Sequence, residues 1–471
     1  MNMKNKINLS GTLLTRLALF SIALLAFNSC RIYKSYERPE NMPTSGLFRD
    51  TLTTTGVLTS DTINFGNTPW RQVFTDPALQ SLIERALERN TDLLSAEETV
   101  KQAQTMLTAS KLAYLPSLSL SPQGTISSFD GETSKTYTVP VSASWELDIF
   151  GKLRNAKKQA QAAYEQSEDY QQAVHSSLIA NIANTYYTLL MLDEQLAISE
   201  KTAVSWKETV QSTEALMNAG LANESAVSQM KATYFEVENA VLDLKEQINQ
   251  AENSLALLLA ESPQSFGRGR LADQEFPEEF SVGVPIQLLA NRPDVREAER
   301  QLEQAFYVTN QANAAFYPSI TLSGSAGWTN AAGALITNPG KFLASAVASL
   351  TEPLFNRGTL IAQKRIAKAQ QEEASLAFQQ KLLSAGSEVN DALTSYQTSR
   401  NKRSNYEQQI VSLENALRST TLLMEHGTTT YLEVLTAKQT LLSAELSQVA
   451  NQFKEIQSVI NLYQALGGGR I

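Results

Sequence analysis

The chain has 471 residues, 42% of them hydrophobic, a formal net charge of −9 and a single cysteine, a length that accommodates two or three domains. One thiol excludes an intrachain disulfide, and so acidic a chain is a poor match for nucleic acid, whose phosphates require cations. After residue 30 no stretch supplies the roughly 20 consecutive apolar residues of a spanning helix.

In chain order, Lys4, Lys6 and Arg16 precede an apolar core from Leu17 to Phe27, followed by Asn28-Ser29-Cys30. This is the layout of a secretory signal over residues 1–29. Cys30 ends the core where a bacterial lipoprotein box places the cysteine that becomes an acylated N-terminus, although Phe27 and Asn28 replace commoner residues of the box. Cys30 is therefore the predicted lipidation site, its acyl chains a membrane anchor, and no other cofactor is expected. Residues 30–69 form a Thr-, Pro- and Gly-rich arm. Trp70 to Pro77 introduces a helix whose apolar positions, Leu79, Leu82, Ile83, Ala86 and Leu87, continue through Leu93 and Leu94 to Leu112 before Tyr114-Leu115-Pro116 stops it.

Two strands follow, Leu118–Ser128 and Thr136–Leu147, around a polar turn from Ser127 to Lys135. The second has Tyr137, Val139, Val141, Ala143, Trp145 and Leu147 on one face and Thr136, Thr138, Pro140, Ser142, Ser144 and Glu146 on the other, a period of two. Asp148 to Lys152 then feeds directly into a helix from Lys152 to Met217, about 100 Å long. Leu153, Ala156, Ala160, Ala163, Ser167, Tyr170 and Val174 read as a coiled-coil seam on it. Gln159, Glu165, Gln166, Asp169 and Gln172, opposite that seam, read as a water-facing wall, either a lumen or a solvated outer surface. Asn218 to Leu221 breaks the helix, and a second one returns from Asn223 to Ala260.

The same order then recurs. Phe316-Tyr317-Pro318-Ser319 repeats Tyr114-Leu115-Pro116-Ser117, Glu352-Pro353-Leu354-Phe355 repeats Leu147-Asp148-Ile149-Phe150, and Met424 to Gly427 repeats Met217 to Gly220. The chain divides into a signal peptide (1–29), an arm (30–69), a first helix–strand–strand–helix–helix repeat (70–261), a linker (262–285), a second repeat (286–466) and a tail (467–471).

The repeat contributes strands at Ile320–Thr329 and Phe342–Leu350, four in all, each about ten residues and so long enough to cross a bilayer at a tilt. Sheet edges in hydrocarbon must close, and known single-chain barrels begin at about eight strands, so copies of this chain must pool theirs. Tyr137, Val139, Val141 and Trp145 are the candidate lipid-facing residues.

At this point the sequence resembles the TolC-like outer-membrane factor family, in its lipoprotein branch serving resistance-nodulation-division efflux pumps. The resemblance rests on Trp70 to Pro77 with Ala86-Leu87 and Asn90, on Trp145 to Gly151, on Gly283-Val284-Pro285 with Leu288-Leu289, Arg292-Pro293-Asp294-Val295-Arg296 and Ala298-Glu299, and on Leu462 to Gly469. Arg470 departs from it, standing where an aromatic residue is common. The resemblance implies an α+β membrane protein. Three copies would share a β-barrel of four strands each, continued by a long α-helical coiled-coil tunnel in the periplasm. An equatorial collar would come from the arm, the linker and the C-terminus.

It also implies sites. The helix-breaking tips, Gly220 and Leu221 in one repeat and Gly427 and Thr428 in the other, would receive a periplasmic adaptor, and both glycines also stand as C-cap residues. Leu432 and Glu433, with Thr436 where many relatives have Asp, would narrow the tunnel as a periplasmic gate. The implied partners are two further copies, the adaptor, an inner-membrane resistance-nodulation-division pump and outer-membrane lipid. Leu432 as a buried core residue is the competing reading. His175 and His426 have no partner at metal-ligand spacing, Gly467-Gly468-Gly469 lacks the strand and helix of a phosphate loop, and no catalytic constellation is apparent. The same duct in heavy-metal efflux or type I protein secretion, or a coiled-coil surface lipoprotein acting as adhesin or scaffold, are the alternatives.

Overall fold

The computed structural model describes residues 35–40, 42, 47, 57–58, 64–220, 222–276, 280–281, 288–329, 341–426 and 428–470. The signal peptide, Cys30, Leu221 and Gly427 lie outside them. The elements in chain order are β1 (Val57–Leu58), α1 (Trp70–Val73), α2 (Pro77–Arg89), α3 (Thr91–Leu112), β2 (Ser117–Leu120), β3 (Gln123–Phe129), β4 (Glu132–Leu147), α4 (Lys152–Asn218) and α5 (Glu224–Leu258). There follow β5 (Phe280–Ser281), α6 (Leu288–Asn291), α7 (Pro293–Ala314), β6 (Ser319–Thr329), β7 (Lys341–Thr351), α8 (Thr359–Glu425) and α9 (Tyr431–Ala465). The repeat is explicit in the helices: α4 and α8 each have 67 residues, α5 and α9 each 35. No described helix is long and apolar enough to cross a membrane.

Two compact units divide the chain. One comprises residues up to 41, 101–166 and 299–377; the other comprises 42–100, 167–298 and 378–471.

The first unit holds one antiparallel sheet in the order β2-β4-β6-β7, with β3 also on β4. β2 and β3 keep a single register against β4, from Ser117↔Ser144 through Gln123↔Thr138 to Phe129↔Glu132. They are one crossing interrupted at Pro122, which has no N–H to give; the Ser121 N–H still reaches the Pro140 carbonyl at 3.2 Å. The expected polar turn from Ser127 to Lys135 is corrected. The ladder continues to a two-residue turn, Asp130-Gly131, with φ of 50° and 82°, the double left-handed geometry of a type I′ hairpin, whose Asp-Gly preference is strong.

The abrupt passage from β4 to α4 has a local cause. The Asp148 carboxylate accepts from the Leu153 and Arg154 N–H groups at 2.9 and 2.7 Å, satisfying donors that a helix start leaves open. Gly151 takes φ of 73° at the corner, a conformation most side chains resist.

The expected water-facing wall on α4 is also corrected. In this unit Gln159 accepts from Gln311 at 2.7 Å, Gln166 accepts from Gln304 at 2.6 Å, and Glu165 pairs with Arg300 at 2.9 Å. These side chains face α7 through a polar seam. The Ala-rich stripe from Leu153 to Ala163 is only half-buried, while Asn155 and Ala162 are buried.

In the second unit, Asp169 continues the polar pairing with Arg296 at 2.5 Å. The single long helix expected from the Trp70 region to Leu112 is three. Asn90 separates α2 from α3, its Oδ1 accepting from the Asp92 and Leu93 N–H groups, both at 3.0 Å, while its amide donates to the Leu258 carbonyl at 2.9 Å. The arm, the linker and the C-terminal segment pack together here: β1 runs parallel to β5, and Phe65 meets both Phe280 and Tyr463 edge-on. Arg268 in the linker is gripped by Asp193 of α4 and Glu252 of α5, at 2.5 and 2.7 Å.

The Gly467-Gly468-Gly469 run closes this cluster. A Cβ on Gly467, at φ of 80°, would meet the Asn291 carbonyl oxygen, and one on Gly468 would meet the Tyr463 ring, each at 2.5 Å. His175 is half-buried, with its Nδ1 2.8 Å from the Gly469 carbonyl oxygen. Ser176 Oγ donates to the same oxygen at 3.1 Å. Burial pushes the His175 pKa down.

Candidate functional site: the two sheet faces and the helix tips

Pleating puts alternate residues on opposite faces, and the registers extend the division across the whole sheet. One face carries the rows Leu120-Val141-Ala326-Ala344, Leu118-Ala143-Gly324-Ala346, Trp145-Leu322-Ala348 and Val139-Trp328-Phe342. Tyr137 joins it opposite Gly124. All four proposed lipid-facing residues therefore share one surface. Its aromatic groups cluster toward the strand ends: Trp328 and Phe342 meet edge-on at 5.9 Å, and the Trp145 indole donates to the Tyr114 carbonyl at 2.9 Å.

The opposite face carries Ser119-Ser142-Ser325-Ser345 and Ser117-Ser144-Ser323-Val347. Some of its hydroxyls bond to one another or to neighbouring backbone. Ser325 and Ser345 lie 2.8 Å apart, and Ser117 donates to the Ser144 carbonyl at 3.2 Å. β7 and the β2/β3 crossing have no strand partner on their outer edges among the described residues. A sheet with one apolar face, one hydroxyl face and two open edges is incomplete as it stands.

The tips lie in the second unit. Gly220 takes φ of 76°, and its N–H donates to the Met217 carbonyl at 2.9 Å, the glycine cap expected of it. Asn223 caps α5 by accepting from the Ala226 N–H at 2.8 Å. Across from them, Thr428 gives both its N–H and its hydroxyl to the Leu423 carbonyl, each at 2.9 Å. The first turn of α9 is sharply two-sided: Val434 and Leu435 are buried, whereas Glu433 and Thr436 are exposed. Leu432 is 53% exposed, which sets aside the reading of it as a core residue. The Thr436 hydroxyl donates back to the Leu432 carbonyl at 2.8 Å. Leu435 packs in a cluster with Trp206, Val210, Met230 and Val237.

The sequence matches the outer membrane efflux protein family over residues 82–261 and 284–468. The chain belongs to this family. Among its relatives, the cation efflux system protein CusC of Escherichia coli is 29% identical over 458 residues, covering 96% of this chain and 98% of CusC. The probable outer membrane lipoprotein SilC of Salmonella typhimurium is 29% identical over 421 residues, 88% of this chain and 90% of SilC. A solved structure of the outer-membrane channel OprN superposes with a TM-score of 0.84 at 26% identity, covering 93% of this chain and 99% of OprN.

In this efflux protein the tip holds one residue that the sequence did not bring forward. Lys438, two turns into α9, donates to Thr209 Oγ1 at 2.6 Å and Ser205 Oγ at 3.1 Å, both on α4. Its ammonium also lies 5.3 Å from the centre of the fully buried Trp206 ring. Burial lowers the Lys438 pKa, while the charge of Glu208 acts to raise it. Lys438 ties the helix bearing Leu432, Glu433 and Thr436 to α4. The signal available in the sequence was a lone lysine among the apolar positions of an amphipathic helix.

Proposed function

We propose that three copies pool their sheets into a twelve-stranded barrel in the outer membrane, anchored through lipid on Cys30, with the long helices forming a periplasmic duct. The duct is the passive exit of a tripartite efflux system. An inner-membrane resistance-nodulation-division pump supplies the energy, and a periplasmic adaptor joins the two. The observation that carries this reading is the sheet with opposed apolar and hydroxyl faces and two open edges: closure by further copies removes the edges, and a membrane-spanning sheet cannot keep them. The apolar face, with Tyr137, Val139, Val141 and Trp145, meets lipid, and the serine rows meet water.

The adaptor engages Gly220, Leu221, Gly427 and Thr428. Leu432 and Glu433, exposed side by side at the start of α9 with Thr436 one turn on, form the constriction when three copies converge. Adaptor contact shifts a closed–open equilibrium of the tip helices. Planar-bilayer conductance of the purified, detergent-solubilised protein tests this. A heat-resistant trimer should conduct, and Leu432→Ala with Glu433→Ala should raise its current; a monomer without conductance overturns the reading. Export of metal cations by the same duct is the second reading, favoured by the likeness to CusC over nearly the whole chain. Metal sensitivity of a deletion strain, against its sensitivity to organic toxicants, separates the two.

A further inference from the structure

The two helical hairpins match residue for residue, and one difference between them stands at the gate. α4 starts at Lys152 and α8 at Thr359, α5 at Glu224 and α9 at Tyr431, in both cases 207 positions apart. The equivalent of Lys231 on α5 is therefore Lys438 on α9, and the equivalent of Glu214 on α4 is Thr421 on α8. In the first hairpin these positions close on each other: Lys231 pairs with Glu214 at 2.5 Å, at the surface. In the second hairpin the lysine is present again and the carboxylate is not. Thr421 turns its hydroxyl back to the Leu417 carbonyl of its own helix at 2.7 Å. Lys438 reaches across to the first repeat instead, donating to Thr209 Oγ1 and Ser205 Oγ on α4 at 2.6 and 3.1 Å.

The start of α9 is thus bonded to the other hairpin and not to its own. Tyr431 gives its hydroxyl to Gln229 of α5 at 3.2 Å. Among the described residues, α9 makes no hydrogen bond or ion pair to α8 before Asn451, whose amide donates to the Ser399 carbonyl at 2.8 Å. The Lys438 link is also built to let go. Its acceptors are neutral hydroxyls, so it lacks the Coulomb attraction of a carboxylate. It lies over the Trp206 ring, whose own buried N–H has no acceptor. We propose that Lys438 is the positioning residue of the gate: bonded to α4, it holds Leu432, Glu433 and Thr436 in the constricted arrangement, and its release from Ser205 and Thr209 frees the start of α9 to open. The inference rests on the channel reading above and deepens it, naming the contact whose making and breaking separates the two states of the tip.

Planar-bilayer currents of the full-length protein test this, with Leu432, Glu433 and Thr436 left in place. Lys438→Met should raise the current several-fold. Thr421→Glu gives the second hairpin the carboxylate of the first; it should draw Lys438 back to α8, raise the current too, and add nothing in the Lys438→Met background. Thr209→Asp turns the link into an ion pair, and should lower the current below wild type only while Lys438 is present. Should Lys438→Met fail to assemble, Thr421→Glu carries the same test with the lysine intact. A lysine with a merely structural role would speed amide exchange at the start of α9 and leave the current unchanged. That result overturns the proposal, as does a fall in current in Lys438→Met or Thr421→Glu, or a Thr421→Glu effect that persists without Lys438. In each of these cases a wild type that conducts as a heat-resistant trimer leaves the channel reading standing. A wild type that is a non-conducting monomer overturns both.

Discussion

Arg292 offers the sharpest test of what holds the second unit together. Its side chain is only 7% exposed and its guanidinium grips the Asp294 carboxylate with two bonds, at 3.0 and 2.7 Å. It also donates to Glu388 of α8 at 2.7 Å and to the Ala465 carbonyl, at the end of α9, at 3.2 Å. Three helices therefore meet on one cation. Replacing Arg292 by Met keeps the bulk and deletes every bond. Breaking a buried ion pair costs about 3–5 kcal/mol because the remaining charge is stranded. Here Lys381 still reaches Asp294 at 2.9 Å and Glu388 is half-exposed and stays hydrated, so the loss falls near the lower end, about 3 kcal/mol. Amide hydrogen exchange measures such local stability directly. The first turn of α7 and the last turn of α9 should lose about 100-fold in protection, at roughly 1.4 kcal/mol per tenfold. The double variant Arg292→Met with Asp294→Leu should recover most of it, since an apolar pair replaces the ion pair without a stranded charge. Wild-type protection in Arg292→Met, or a double variant no better than the single, would refute this account.

Asp294 adds a pH dependence to the same cluster. Burial acts to raise its pKa, but the Arg292 bonds and Lys381 outweigh burial and hold it at about 2, below its ordinary 3.8. A depressed carboxylate pKa contributes stability that is full above about pH 5 and lost as pH falls toward 2, worth about 2 kcal/mol; Asp294→Asn should flatten that part of the exchange-versus-pH curve. Gly468→Ala should raise exchange across the last turn of α9 by at least about fivefold. Its new Cβ meets a Tyr463 ring fixed by Phe65, by Phe74 and by a 2.7 Å bond to the Thr68 carbonyl, and overpacking of this kind costs about 1–3 kcal/mol. Lys438→Met removes two charged hydrogen bonds, a loss of about 2 kcal/mol, and should speed exchange in the first turns of α9 while leaving α7 unchanged.

Period and punctuation made much of the architecture legible. The long helices begin where the apolar period changes and end two residues before Gly220 and Gly427, and α4 differs from its expected span by one residue, Asn218. Strand faces were legible because parity alone assigns them. The Asp130-Gly131 turn was missed although its dipeptide is in the sequence, because Thr and Ser on both faces blur the alternation from Ser127 to Lys135. Gln159, Glu165 and Gln166 were misread for a different reason. Helical period separates polar from apolar faces, but it cannot say whether a polar face meets water or the equally polar face of α7. His175 was invisible as a tail clamp because its partner is a backbone carbonyl 294 positions away.

The chemistry of the hydroxyl face bears on where the duct selects its cargo. Serine side chains are short and uncharged, and Ser117, Ser325 and Ser345 already bond to each other or to a neighbouring carbonyl, so on the proposed barrel that wall would offer a solute few strong contacts. Its one carboxylate near the helical end, Glu146, is paired with Lys152 at 3.0 Å. Glu433 stands exposed beside Leu432, and in the proposed trimer three such carboxylates would converge, an arrangement that favours cations. Any cation preference of the open channel should then arise at the tip. Reversal potentials in asymmetric salt check this: Glu433→Gln should move the potential toward zero, and Ser142→Ala with Ser325→Ala should leave it in place. The opposite pattern would put the selective element in the barrel and remove Glu433 from the gate.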